Sequence, residues 1–195
     1  MAATKQFGQL VIISGPSGAG KSTVLRILMD NCPLPLDLSV SATTRTARPT
    51  EKDGVDYHFL TTDEFNAKLL NGEFLEHKEV FGRGHYYGTL KETVTTGLNA
   101  GRYVILEIDV AGAMSVLEHI PNAITIFLHP GTLQELEKRL RGRETDSEES
   151  IIRRLEVAKS EMGLMDRYQH IIVNEQPETA AETICQILKN PGASS

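Results

Sequence analysis

A chain of 195 residues with 40% apolar content can bury one substantial core but is short for two. Its formal net charge of −6 excludes a general nucleic-acid binder, so any anion site has to be locally basic. No apolar run approaches the ~18 residues of a membrane span, and Met1 to Leu10 carries no apolar leader segment, so neither a membrane nor a nucleic-acid partner is expected.

In chain order, Leu10 to Ser14 is a short β-branched run, Gly15 to Gly20 a glycine-rich break, and Ser22 to Asp30 helical in pattern. Ser39 to Gly97 does not alternate and is rich in threonine, arginine, glycine and aromatics. Within it, Thr61 with Glu64 marks a helix start, and Gly72 stands where a helix from Asp63 ends. Strand character returns at Tyr103 to Ile108, Ala123 to Leu128 and Ile171 to Val173, with helical composition between them. Thr132 with Glu135 and Thr145 with Glu148 mark two further helix starts, and Arg139 to Arg154 is almost wholly charged. Alternation of this kind implies an α/β fold, a parallel sheet flanked by helices, with Ser39 to Gly97 and the charged stretch as insertions. There are no internal repeats, and Pro191 to Ser195 reads as a frayed tail. Cys32 and Cys185 lie far apart, match no metal-ligand spacing and cannot build a disulfide framework, so a reduced cytoplasmic setting is expected.

Gly15-Pro16-Ser17-Gly18-Ala19-Gly20-Lys21-Ser22 satisfies G-x-x-x-x-G-K-[ST] between the predicted strand and helix. Such a loop turns backbone N–H groups inward around phosphates, the following helix presents its positive end, Lys21 adds a point charge, and Ser22 is placed to hold Mg²⁺. The motif specifies a nucleotide fold without naming the reaction. No N-K-x-D stretch reads guanine within a hydrolysed nucleotide, which leaves a small kinase as the leading class. A kinase needs a second anion site and cations that stabilise the transferring group. Ser41 to Arg48, Tyr57 and Tyr86 to Thr89 offer arginines, hydroxyls and phenols of the right type. On those residues alone, an ordinary polar hairpin surface fits as well.

The ordered series S-G-P-S-G-A-G-K-S-T, S-V-S-x-T-T-R-x-x-R, G-x-D-Y, F-L-E-H, Y-Y-G-T and R-L-x-x-R, from about Val11 to Asn174, resembles guanylate kinases. The resemblance implies a single domain over 1–190: a core (7–38, 98–133 and 155–190), a GMP-binding subdomain (39–97) and a lid (134–154). It implies Mg²⁺ with ATP and GMP as substrates, and dGMP as a further acceptor. Oligomeric state is left open. The nucleotide stretch Gly15 to Thr23 is matched to ATP, with Asn174 on the adenine side. Ser41, Glu76, Thr89 and Asp109 resemble the guanine-reading positions, and Arg45, Arg48, Tyr57 and Tyr87 the ligands of the GMP phosphate. Arg139, Arg143 and Arg154 stand where the family closes cations over the transferring group. The chemistry agrees at Glu76, because guanine presents N1–H and an amino group side by side and a carboxylate accepts both.

Three features depart from the family pattern: a longer loop from Phe81 to Tyr87, Glu107 where aspartate is usual, and Ala111 where glutamine is usual. The extra methylene of Glu107 is expected to shift a magnesium-water or nucleotide contact. A rival class is a non-catalytic guanylate-kinase-like module that holds a phosphopeptide, against which Lys21 and Ser22 argue.

Overall fold

The computed structural model describes residues 7–80, 84–142 and 147–191. The first half of the chain forms β1 (Gln9–Ser14), α1 (Lys21–Asn31), β2 (Leu36–Leu38), β3 (Ala42–Thr43), β4 (His58–Phe59), α2 (Thr62–Leu70), β5 (Phe74–Val80), β6 (His85–Leu90) and α3 (Lys91–Asn99). The second half forms β7 (Tyr103–Glu107), α4 (Val110–His119), β8 (Ile124–His129), α5 (Leu133–Arg141), α6 (Glu148–Met162), β9 (His170–Val173) and α7 (Pro177–Lys189).

The central sheet has the order β2-β7-β1-β8-β9, and every pairing in it is parallel. Its three inner strands, β7, β1 and β8, read as largely apolar runs because helices cover both faces. Successive residues of β1 serve opposite sides: Val11 and Ile13 pack with α1 and α7, while Leu10 and Ile12 pack with α3 and α4. Each large side chain so enclosed contributes roughly 1.5–3 kcal/mol of transfer free energy. The arrangement leaves the carboxyl ends of β1 and β7 aligned, Ile13 opposite Glu107, and that edge carries the phosphate loop.

A second, mixed sheet with the order β4-β3-β6-β5 forms the body of the first insertion. Its small core is Ala42, Phe65 and Phe74, with the two phenyl rings stacked 4.3 Å apart. The helix that carries Phe65, α2, begins and ends as its sequence dictates. Thr61 and Glu64 form a reciprocal capping box, and Gly72 follows the helix with φ 68°, a conformation costly for other residues. The charged second insertion is a helix pair, α5 and α6, held by Leu136, Leu140 and Ala158.

Several expectations change. Cys32 and Cys185 are joined in a disulfide, not left reduced: they are 153 residues apart in sequence, but α1 and α7 pack side by side. The cap of α6 is Ser147, whose hydroxyl accepts from the Ser150 amide, and Thr145 lies outside the described residues. Arg143, Phe81 to Arg83 and Gly192 to Ser195 also lie outside them. β2, three residues long, joins the central sheet although its sequence carries no strand signal of its own. Helix α3 lies mostly before the expected boundary at 97, yet it packs on β7 and β1, with Val94 in the core. Among the described residues no helix is long and apolar enough to cross a membrane.

Candidate active site

The phosphate loop is built from beneath. Asn174, at the end of β9 and 2% exposed, donates from Nδ2 to the carbonyl of Ala19 at 2.7 Å. Gly20 has φ 89°, and a Cβ there would stand 2.5 Å from Asn174 Nδ2, so neither the backbone path nor the space admits a side chain. Asn174 therefore supports the loop, and its Oδ1 is buried with no hydrogen-bond partner. Lys21 lies back over the loop, its Nζ donating to Gly15 O at 2.6 Å and Pro16 O at 3.2 Å. Ser17 is exposed on the loop, Gly18 half-buried and Ala19 buried, while Ser22 and Thr23 open the first turn of α1 on its exposed side.

Ser22 Oγ donates to Glu107 Oε1 at 2.9 Å, so the longer side chain at 107 reaches the loop. A hydroxyl beside a carboxylate is a hard-oxygen pair that fits Mg²⁺, an ion that keeps several water ligands and takes the rest from phosphates. Among the described residues no group of three or more His, Cys, Asp or Glu is arranged to hold a metal alone.

Two arginines reach the loop from the helix pair. Arg139 on α5 donates from Nη2 to Asn174 O at 2.8 Å and stands 3.5 Å from Glu135. Arg154 on α6 donates from Nη2 to Ser17 Oγ at 2.7 Å. Arg141, two residues from Arg139 and so off its helical face, has its guanidinium taken by Glu137 and Glu148.

Facing the loop, the second sheet gathers most of the other predicted groups. Arg45 donates from Nε to Tyr87 Oη at 3.1 Å, and its Cζ lies 5.4 Å from the centre of the Tyr57 ring. Tyr57 and Tyr87 meet edge to face at 5.7 Å. Glu51, which sequence reading passes over, accepts from both terminal nitrogens of Arg45 at 2.9 Å and from the Arg48 amide at 2.8 Å. That bidentate bond raises the Arg45 pKa and lowers that of Glu51, so both stay charged. Arg48 itself points outward, with its side chain 74% exposed. Ser41 sits just before β3, its carbonyl accepting from the His58 amide.

Further along the same face, Thr89 donates to Glu76 Oε1 at 2.7 Å. Burial pushes the Glu76 carboxyl above the ordinary carboxylate range, the Thr89 bond partly offsets that, and the nearby Asp109 charge adds to it. Asp109 caps α4 through Gly112 N at 2.8 Å, and Lys78, also missed in the sequence, donates to its other oxygen at 2.6 Å. The structure thus assembles Lys21, Arg139 and Arg154 at the loop, Arg45, Tyr57 and Tyr87 opposite, and Glu76, Thr89 and Asp109 beyond them. Arg48 reaches only the partner of Arg45, Glu51, at 3.8 Å, and no side-chain bond of Ser41 is among the contacts described.

Residues 7–191 match the family model for guanylate kinase. A guanylate kinase from Rhodopirellula baltica is 57% identical over 93% of this chain and 87% of its own length. One from Fusobacterium nucleatum is 45% identical over 94% of this chain and 97% of its own length. The crystal structure of guanylate kinase from Anaplasma phagocytophilum superposes with a TM-score of 0.77 at 33% identity, covering 96% of this chain and 87% of that one. The chain belongs to the guanylate kinase family.

Proposed function

We propose that ATP lies on the phosphate loop and GMP on the second sheet, and that the chain moves the γ-phosphoryl group from the first to the second, giving ADP and GDP. The activity follows from membership of a family of ATP:GMP phosphotransferases. The observation that carries the placement is the half-buried Glu76 carboxylate, bonded by Thr89 and set beside the start of α4 at the carboxyl edge of the central sheet. It accepts guanine N1–H and the amino group together, whereas adenine would set its N1 lone pair against the carboxylate.

Gly15 to Thr23 holds the ATP phosphates, with Asn174 acting from below. Arg45, Arg48, Tyr57 and Tyr87 bind the acceptor phosphate, and Ser41, Glu76, Thr89 and Asp109 surround the base. Mg²⁺ would be held by Ser22, with Glu107 acting through water, and would neutralise phosphate charge. The acceptor phosphate has a second pKa near about 6, so it is mostly dianionic at neutral pH and needs no general base. Lys21, Arg139, Arg143 and Arg154 stabilise charge spread over the transferring oxygens, and closure of the two insertions excludes water that would otherwise hydrolyse ATP. The reaction supplies GDP for GTP synthesis, with dGMP accepted as well.

The test is ADP formation from Mg·ATP with GMP, dGMP, AMP, CMP and UMP offered separately, in the wild type and in Glu76→Gln. Strong turnover with GMP and dGMP alone is expected. In the variant the amide accepts only one of the two donors, so GMP KM should rise by roughly 10²-fold or more with ATP KM little changed. Unaltered acceptor preference in Glu76→Gln overturns the placement of guanine.

A further inference from the structure

Glu76 and Lys78 are two residues apart on β5 and so share the face that looks toward the core. In the ladder, Glu76 stands opposite Thr89 and Lys78 opposite Tyr87. Lys78 therefore lies between the carboxylate pair that meets the base and the Arg45–Tyr87 pair that meets the phosphate. Its ammonium crosses out of the second sheet to Asp109 on the core, Nζ to Oδ2 2.6 Å, and that carboxylate is itself fixed as the cap of α4. On the other side of the same junction Glu76 Oε2 comes so close to α4 that a Cβ on Gly112 would stand 3.1 Å from it. Two carboxylates from different bodies of the fold are thus held against one helix end, with a lysine bonded to one and near enough to the other to lower its pKa.

Resting on the placement of guanine at Glu76 and Asp109, we propose that Lys78 is a positioning residue for guanine recognition. It ties the acceptor-binding sheet to the core through Asp109 and offsets the negative charge that these two carboxylates bring to the base. The charges around it are few. Glu76 shares its strand, Asp109 faces it from α4, Glu161 from α6 feels both Lys78 and Lys21, and Lys21 belongs to α1. Three acids thus share two lysines. Burial raises both Glu76 and Glu161, Asp109 raises them further, and Lys78 lowers both. The sign follows directly: a carboxyl with a raised pKa loses its charge early as pH falls, and removing Lys78 moves that loss to still higher pH. Because the Lys78 and Asp109 side chains are 46% and 36% exposed, the effect is modest and weakened by salt.

The measurement is GMP and IMP kinetics across the acid range in the wild type, Lys78→Met, Lys78→Arg and Glu76→Gln, with folding checked by circular dichroism. In Lys78→Met, GMP KM at neutral pH should rise about two- to five-fold. The acid limb of kcat/KM for GMP should move to higher pH, the preference for GMP over IMP should shrink, and ATP KM should hold. Lys78→Arg should restore all three. An unchanged GMP KM and acid limb in folded Lys78→Met overturns the proposal, as does an equal loss for GMP and IMP, which would mean direct phosphate contact. Should Lys78→Met fail to fold, Lys78→Gln carries the same comparison. If Glu76→Gln leaves acceptor preference intact, the guanine placement fails instead, whatever Lys78 does.

Discussion

Arg45 shows how much of this site lies in the partners of the predicted residues. Its guanidinium bonds to Tyr87, to the Thr46 carbonyl and twice to Glu51, so its plane and rotamer are set before any phosphate arrives. A planar fork gains most when it is held in one orientation, and Glu51 does the holding for Arg45 while fixing the Arg48 backbone as well. Glu51→Gln replaces one acceptor oxygen by a donor that faces a cation, so the fork loses its bidentate anchor. GMP KM is expected to rise on the order of ten-fold, with kcat for saturating GMP less affected. A fall in KM would show instead that Glu51 occupies the place of the phosphate. Arg45 was legible in T-T-R-x-x-R, but Glu51 and Lys78 were not. The partner of Lys78 is 31 residues away and meets it only because α4 packs on β5. Surface charges in a charged stretch carry no signal of which pair will form.

At the scale of elements, legibility follows burial. The runs of β1, β7 and β8 declare themselves because helices cover both faces, whereas β2 is three residues long and draws its strand identity from β7. Capping chemistry was readable at Thr61 and Thr132, where a hydroxyl does accept from the amide three residues on. At α6 the same reasoning pointed to Thr145, although Ser147 has the same local chemistry and is the observed cap. The strand–loop–helix unit was read correctly, but not its floor: Asn174 arrives from the far end of the chain to bond Ala19. That floor makes a prediction about Gly20. Gly20→Ala forces a side chain at φ 89° into a Cβ–Nδ2 approach of 2.5 Å, so either the loop shifts or Asn174 leaves Ala19 O unpaired. A loss of about 1–3 kcal/mol of stability is expected. ATP KM should increase while GMP KM holds, read by thermal unfolding and initial-rate kinetics. Equal loss of both substrates would place the damage outside the loop.

For the molecule as a whole, an acidic chain of net charge −6 collects its useful cations at one place, where the carboxyl edge of the central sheet meets the two insertions. The opposite end of α1 has a different task. There Cys32, just past the helix, bonds Cys185 of α7 and closes a sequence separation of 153 residues. Reading two distant cysteines as unpaired failed because sequence separation says nothing about α1 and α7 packing face to face. A bridge of that span restricts the unfolded chain strongly, and its removal is expected to cost about 2–5 kcal/mol. For a chain of this size that corresponds to a fall in Tm of roughly 5–20 °C. Activity should respond differently. The bridge lies at the end of an 11-residue helix, roughly 16 Å from the phosphate loop at its start, and touches none of the groups assembled there. Cys32→Ser/Cys185→Ser, or full reduction confirmed by thiol titration, should therefore lower Tm while kcat well below the transition stays within about two-fold. A lower kcat at unchanged Tm would instead mean that the far end of α1 controls the loop, and an unaltered Tm with both thiols free would mean that packing of α1 on α7 alone holds this side together.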